Sequence, residues 1–220
     1  MVSTVSCESD FAEVGRAVMN GDIVVFPTDT IYGVGTSPMS RTGIQKCFNI
    51  KERQMEKKLP VLFSGMTEAA KIVQFDKRAV LIAERFWPGQ VTLVLPIGDA
   101  SLPEELIGED RTLAVRVPNH NCCLRLVTAC GHSLIGTSAN ISGKPTFVDP
   151  DDHALNEFAK RADYFVKGGC GTSLLPSTIL DITNNDHIAV LREGAVPVHE
   201  ISAQLSKISN TDFSFKATKT

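Results

Sequence analysis

Residues 46–58 form a basic segment whose residue types suit the binding of a polyphosphate. Its cations stand against only two acids, Glu52 and Glu56. Lys51 and Arg53 are two residues apart, so on an extended loop both side chains would face the same side. An ammonium beside a guanidinium fork offers phosphate a point charge and a bidentate donor. The alternative is a solvated helix end with cations near its C-terminus. The cations are Lys46, Lys51, Arg53, Lys57 and Lys58.

Three further polar segments follow predicted strands, where α/β proteins usually bind ligands. Residues 27–35 offer two threonine hydroxyls and a carboxylate, and their glycines allow close backbone approach. Residues 136–145 are rich in hydroxyls and amides, but Pro145 stands where a Walker A loop has Ser or Thr. Residues 168–178 begin with a glycine cluster that lacks the dinucleotide spacing. Ordinary turns remain the alternative for each segment.

The remaining reactive residue types do not form a recognisable catalytic or metal motif. No G-x-S-x-G segment is present, and no histidine stands beside a recognisable nucleophile. One group of cysteines and histidines could suggest zinc, but its cysteines fall within an apolar helical pattern and are better interpreted as buried thiols. We therefore predict no metal ligands. This group comprises His120, Cys122, Cys123, Cys130 and His132.

Strand-length apolar runs alternate with segments of helical period, which predicts an α/β domain with a mixed sheet and flanking helices. Ser40, Thr67 and Asp76 are candidate helix caps. Helices are also predicted around Val14, at 121–129, around Leu155 and at 198–204. The predicted strands are 23–26, 59–63, 91–95, 113–117, 134–136, 164–166, 178–182 and 187–191.

The composition is that of an ordinary globular protein, with 43% hydrophobic and 21% charged residues among 220. A formal net charge of −3 argues against coating nucleic acid by bulk electrostatics. We expect one catalytic domain over residues 8–200 and a disordered tail over 209–220. Because no export signal or membrane-length apolar run is seen, we expect reduced cysteines and a cytoplasmic location.

Taken in chain order, these segments resemble the threonylcarbamoyl-AMP synthases, or YrdC-domain family, in its short single-domain form. The similarity extends from about Phe11 to Val198. Family motifs are matched by Lys51-Glu52-Arg53 (K-x-R) and Ser138-Ala139-Asn140 (S-x-N). Departures are Gln54 and Thr137 at frequent proline positions, and Leu62 where some members have histidine. The other matching segments are Pro27–Gly33, Trp87–Gly89, Val115–Pro118, Pro176–Thr178 and Leu191–Gly194.

The resemblance implies an enzyme that joins L-threonine, bicarbonate or CO₂, and ATP into threonylcarbamoyl-adenylate and pyrophosphate. Other proteins of a transfer-RNA threonylcarbamoyl transferase machinery would use this product. Mg²⁺ is implied as a companion of ATP, and weak binding of transfer RNA or double-stranded RNA is also implied. Phosphoryl-type chemistry needs positioning and charge neutralisation more than a protein nucleophile, which agrees with the absence of a triad.

The same resemblance implies a role for each matching residue. Lys51, Arg53, Ser138 and Asn140 would be catalytic, and they would also bind ATP. Arg116 would pair with the threonine carboxylate through two hydrogen bonds. The other nucleotide-binding positions are Lys57, Thr112 and Arg192, and the other threonine-binding positions are Thr30, Gly136 and Ser177.

Two other functions remain open. The basic segment could belong to an RNA-binding module without catalysis, whose binding would weaken steeply with salt. A carbamoyl-transfer domain of the hydrogenase-maturation type shares the expected fold, but the zinc-finger and acylphosphatase-like segments that accompany it are not visible here.

Overall fold

The computed structural model describes residues 1–208 and 213–217. Seven helices lie in this part of the chain: α1 Ala12–Met19, α2 Arg41–Ile50, α3 Met66–Ala69, α4 Lys77–Phe86, α5 Asn121–Ala129, α6 His153–Ala159 and α7 Val198–Ile208. The strands are β1 Ser3–Ser6, β2 Val24–Phe26, β3 Gly33–Gly35, β4 Val61–Phe63, β5 Val91–Pro96, β6 Thr112–Arg116, β7 Ser133–Ile135, β8 Thr137–Ser138, β9 Tyr164–Lys167, β10 Thr178–Asp181, β11 Ile188–Arg192 and β12 Phe215–Ala217. No helix among these residues is both long and apolar enough to cross a membrane.

The strands form two mixed sheets. The smaller sheet has the order β1-β9-β2-β3-β8, and the larger has the order β12-β11-β10-β5-β6-β4-β7. Parallel pairs such as β5 with β10 stand beside antiparallel pairs such as β5 with β6. The predicted α/β class with a mixed sheet is therefore confirmed, although its strands are divided between two sheets.

One segment passes from the larger sheet to the smaller. β7 pairs with β4 in the larger sheet, and β8 pairs with β3 in the smaller, with Gly136 between them. The sheets approach so closely here that a Cβ on Gly35 would lie 1.6 Å from the carbonyl oxygen of Ile135. A side chain at position 35 would therefore push the sheets apart.

Alternation along the strands divides the core in two. In β2, Val25 faces the main core, whereas Val24 and Phe26 face a second apolar cluster formed with α1 and α5. The main core also receives side chains from α2, α4, α6 and α7 and from one face of the larger sheet. The opposite face of that sheet is left for other contacts, because residues two apart in a strand share a face.

The predicted helix starts are confirmed at two of three positions. Ser40 caps α2 by accepting a hydrogen bond from Gly43 N at 3.2 Å, and Asp76 caps α4 by accepting one from Ala79 N at 2.7 Å. Thr67 is not a cap, because α3 begins at Met66 after Gly65. A short polar helix start such as this one gives little signal to distinguish the cap from its neighbours.

Three other expectations need correction at the chain ends. β1 was not predicted, yet it pairs in parallel with β9. Phe215–Ala217 is not disordered, because it pairs in parallel with β11; the rest of the expected tail lies mainly outside the described residues. Cys7 and Cys122 are joined in a disulfide with their Cα atoms 5.3 Å apart, so the prediction of reduced thiols is wrong for this pair.

Candidate functional site

A cavity of about 500 Å³ lies on the face of the larger sheet that points away from the main core. Every second residue along β5 and β6 lines it, and its other walls come from the loop between β2 and β3 and from the segment that crosses between the sheets. Alternation along the strands thus brings distant polar residues to one surface. The sheet residues on this surface are Thr92, Val94, Thr112, Ala114, Arg116, Ser177, Ile179 and Asp181.

Arg116 lies on the cavity wall with its guanidinium fixed from behind. Its Nε donates to the carbonyl oxygen of Gly89 at 2.8 Å, Nη1 donates to Thr30 Oγ1 at 3.3 Å, and Nη2 donates to Asp29 Oδ1. A guanidinium has five N–H groups, so one on each Nη is left without a partner among the described residues. Two such donors match the two oxygens of a carboxylate.

Asp29 is the partner that sequence reasoning did not assign. Its side chain and that of Arg116 are each 7% exposed, so the pair is buried. Breaking such a pair by removing one charge is costly, since the other charge stays buried without compensation. The signal available in the sequence was an acid inside the segment 27–35, but its partner is 87 residues away.

Two more guanidiniums reach the same cavity. Arg53 donates from Nε to Lys57 O at 2.7 Å and from Nη2 to Lys58 O at 3.1 Å. Arg192 donates from Nε to Ser177 O at 3.0 Å and from Nη2 to Ser177 Oγ at 3.2 Å. In both residues, Nη1 has no partner among the described residues.

The electrostatics of the cavity favour an anion. Burial lowers the pKa of Arg192, and the charges of Arg116 and Arg53 lower it further. Burial also lowers the pKa of Arg53. Since guanidiniums stay protonated, three like charges held together are stabilised when an anion enters. Lys58 adds a fourth cation, against the carboxylates of Glu56, Glu109 and Asp181.

Hydroxyl groups line the cavity between the guanidiniums. Ser177 Oγ lies 2.8 Å from Thr92 Oγ1, and Thr30 Oγ1 lies 3.0 Å from Thr28 Oγ1. Both pairs are buried, and either oxygen of each pair can act as the donor. Such groups can donate to a ligand oxygen or accept from a ligand N–H.

Lys51 takes a different direction from the one its spacing predicts. It is not on an extended loop but ends α2, and Glu52 has a φ of 50°. This turn sends the Lys51 side chain behind the cavity wall, where it is 1% exposed and contacts the loop at 138–140. Lys51 and Arg53 therefore do not face the cavity side by side.

The structure brings most of the predicted site residues together, but not all. Lys51 and Asn140 lie behind the wall, and Lys57 is exposed outside the cavity. Leu62 also lines the cavity and is paired in register with Arg116. The predicted residues that line it are Thr30, Arg53, Thr112, Arg116, Gly136, Ser138, Ser177 and Arg192.

The cysteine and histidine group forms no centre among the described residues, where no cluster of three or more potential metal ligands is found. His120 caps α5 by accepting from Cys123 N at 3.2 Å. Burial raises the pKa of Cys123, and it raises that of Cys130 to about 12. These two residues are thus buried thiols, as predicted, while Cys122 forms the disulfide.

Residues 16–194 match the sequence profile of the Sua5, YciO and YrdC proteins, which carries the description "Telomere recombination". The chain belongs to the Sua5/YciO/YrdC family. It is 30% identical over 192 residues to the threonylcarbamoyl-AMP synthase of Pyrococcus abyssi, with coverage of 87% of this chain and 56% of that protein. The chain thus spans little more than half the length of this relative.

A shorter member of the Sua5/YciO/YrdC family matches almost end to end. The threonylcarbamoyl-AMP synthase of Pseudoalteromonas translucida is 32% identical over 184 residues, with coverage of 81% of this chain and 96% of that protein. The crystal structure of P. abyssi Sua5 complexed with L-threonine is similar with a TM-score of 0.86 at 27% identity. That match covers 98% of this chain and 62% of the Sua5 chain.

Proposed function

We propose that this protein is an L-threonylcarbamoyl-adenylate synthase, a nucleotidyltransferase that consumes L-threonine, bicarbonate and ATP and releases pyrophosphate. The observation that carries the proposal is the convergence of Arg53, Arg116 and Arg192 on one cavity, each with N–H groups left for a ligand. Both main substrates are anions, and the two relatives described above carry the name of this activity.

One end of the cavity suits an amino acid. The two available N–H groups of Arg116 would bind the carboxylate of threonine, while Thr30 and Ser177 lie close by as hydroxyl partners. Gly136 offers open space on the same wall, because it has no side chain. Bound in this way, the substrate amine would be free to attack bicarbonate or CO₂ and form a carbamate.

The other guanidiniums suit a triphosphate. Arg53 and Arg192 would bind its oxygens together with the hydroxyls of Thr112 and Ser138, all of which line the cavity. A carbamate oxygen would then attack the α-phosphorus, and the bond to pyrophosphate would break. Preorganised cations of this kind stabilise the charge that develops on the leaving group.

The cavity also suits a magnesium ion that arrives with ATP. Mg²⁺ is usually held by one or two carboxylates, several waters and substrate phosphates. Glu56, Glu109 and Asp181 supply carboxylates on the lining, so any of them could share the ion with the triphosphate. The ion would neutralise part of the phosphate charge, and the protein residues would orient the substrates.

The RNA-binding alternative is weaker than the sequence alone suggested. Of the two central cations in the basic segment, Lys51 is buried and Arg53 faces the cavity, so neither forms part of an exposed strip. Contact with transfer RNA or double-stranded RNA, hand-over to a transfer-RNA-modifying partner and a cytoplasmic location are proposed on the family resemblance alone.

Pyrophosphate release from ATP tests the function, with threonine and bicarbonate omitted in turn. We expect release only when both are present, and we expect Arg53→Ala to reduce the rate about 10²–10³-fold, as for other losses of a transition-state contact. Lys46→Ala, which removes an exposed cation from α2, is the control. Pyrophosphate release that ignores threonine would refute the proposal.

A further inference from the structure

The ammonium of Lys51 has all of its hydrogen atoms occupied inside the protein. Its Nζ donates to the carbonyl oxygens of Ser138 and Asn140, the latter at 2.9 Å, and to Asn140 Oδ1 at 3.3 Å. A lysine ammonium has three N–H groups, and three acceptors surround this one. No donor is therefore left to reach a phosphate in the cavity.

Lys51 instead holds the loop 138–144 from behind. Besides the side-chain contacts, its own carbonyl oxygen accepts a hydrogen bond from Ser142 N at 2.9 Å. Asn140 Nδ2 donates to Lys144 O, which closes the loop at its far end. Of the residues in this group, Ser138 lines the cavity.

Asn140 Oδ1 is shared between Lys51 and Ser138. It accepts from Ser138 Oγ at 2.6 Å as well as from the ammonium. A serine hydroxyl has a single hydrogen atom, so in this arrangement Ser138 offers only lone pairs to the cavity. A phosphate oxygen needs a donor, and Ser138 must therefore rotate its hydroxyl away from Asn140 when ATP binds.

We infer that Lys51 is a positioning residue for ATP: it keeps Asn140 Oδ1 hydrogen-bonded, so that the Ser138 hydroxyl can turn to the phosphate. Without the ammonium, that rotation leaves a buried acceptor without a partner, which is the costly case. Lys51 thus acts through Ser138 rather than on the substrate. The inference rests on the proposed function, because it assigns a role at the ATP end of the same site.

The test is a double-mutant cycle read from the KM values of both substrates in the pyrophosphate assay. Lys51→Met is expected to raise the KM for ATP about 10- to 100-fold, the range for a lost hydrogen bond to a charged group, and to change the KM for threonine less than about twofold. In a Ser138→Ala background, Lys51→Met should add less than about threefold. Lys46→Met on the same helix is the matched control and should resemble the native protein.

Two results would overturn the inference. One is an equal effect of Lys51→Met with and without the Ser138 hydroxyl, since a direct phosphate contact does not depend on that group. The other concerns Lys51→Arg, which also serves if Lys51→Met does not fold. A guanidinium does not fit among these three acceptors, so we expect the KM for ATP to rise at least about fivefold; an unchanged value would mean that charge alone suffices.

The inference can fail separately from the proposed function. If the native protein releases no threonine-dependent pyrophosphate, the function is refuted, and the same four proteins are compared by calorimetric titration with ATP. Coupling between Lys51 and Ser138 in the Kd for ATP would then still support the positioning role. Independent effects of the two substitutions in that titration would refute it.

Discussion

Replacing Arg116 with lysine separates the recognition of threonine from the stability of the fold. Arg116 uses three of its five N–H groups on Gly89, Thr30 and Asp29 and leaves two for a carboxylate. A lysine has three N–H groups at a single point, so it can stay paired with Asp29 but cannot also offer two parallel donors. The fold should therefore survive while the ligand contact is weakened.

The size of the effect follows from the lost contact. A hydrogen bond to a charged group contributes about 1.5–3 kcal/mol, which corresponds to about a 10- to 150-fold weaker affinity for threonine. Arg116→Met, in contrast, leaves the Asp29 carboxylate buried without a partner and should lower the free energy of unfolding by about 3–5 kcal/mol.

The assay compares KM values for threonine and ATP with urea unfolding of each variant. Arg78→Lys is the control, because Arg78 also pairs with an aspartate and donates to backbone carbonyls, but at the surface and far from the cavity. A KM for threonine within about twofold of the native value in Arg116→Lys would refute the bidentate assignment. A rise in the KM for ATP alone would place Arg116 at the other substrate.

Three further predictions concern stability. Gly136→Ala would place a Cβ 2.5 Å from Leu62 Cδ1, so urea unfolding should show a loss of about 1–3 kcal/mol, while Gly169→Ala, with open space around it, should change little. Without reductant, Cys7→Ser should lower the unfolding free energy by about 2–5 kcal/mol, a difference that dithiothreitol should abolish. Burial lowers the pKa of Lys51 from 10.5 to about 8, so in this window the unfolded chain binds more protons and stability should rise with pH; urea midpoints should show a smaller rise in Lys51→Met.

Local patterns were sufficient for elements whose signals lie within a few residues. The helix at Asn121–Ala129 has the predicted bounds, and Ser40 is a cap because its hydroxyl needs only a neighbouring backbone N–H. β1 and β12 are short, polar edge strands, and what defines them is a partner strand far away in the sequence. Periodicity carries no information about such partners.

The candidate site was predictable in membership but not in geometry. Family motifs place Arg116 and Ser138 in one site, and both line the cavity. The direction of Lys51 depends on the left-handed turn at Glu52 and on acceptors 87 and 89 residues away. Two-residue spacing predicts a shared side only when the backbone is extended, and here α2 continues up to Ile50.

The segment 133–138, which leaves one sheet at β7 and enters the other at β8, has a consequence for dividing the chain. The smaller sheet needs strands from residue 3 to residue 167, and the larger needs strands from residue 61 to residue 217, so their sequences overlap by roughly half the protein. Cleaving the chain anywhere between residues 61 and 167 leaves two fragments, neither of which contains a whole sheet. The two fragments should therefore regain the cavity only by reassembling with each other.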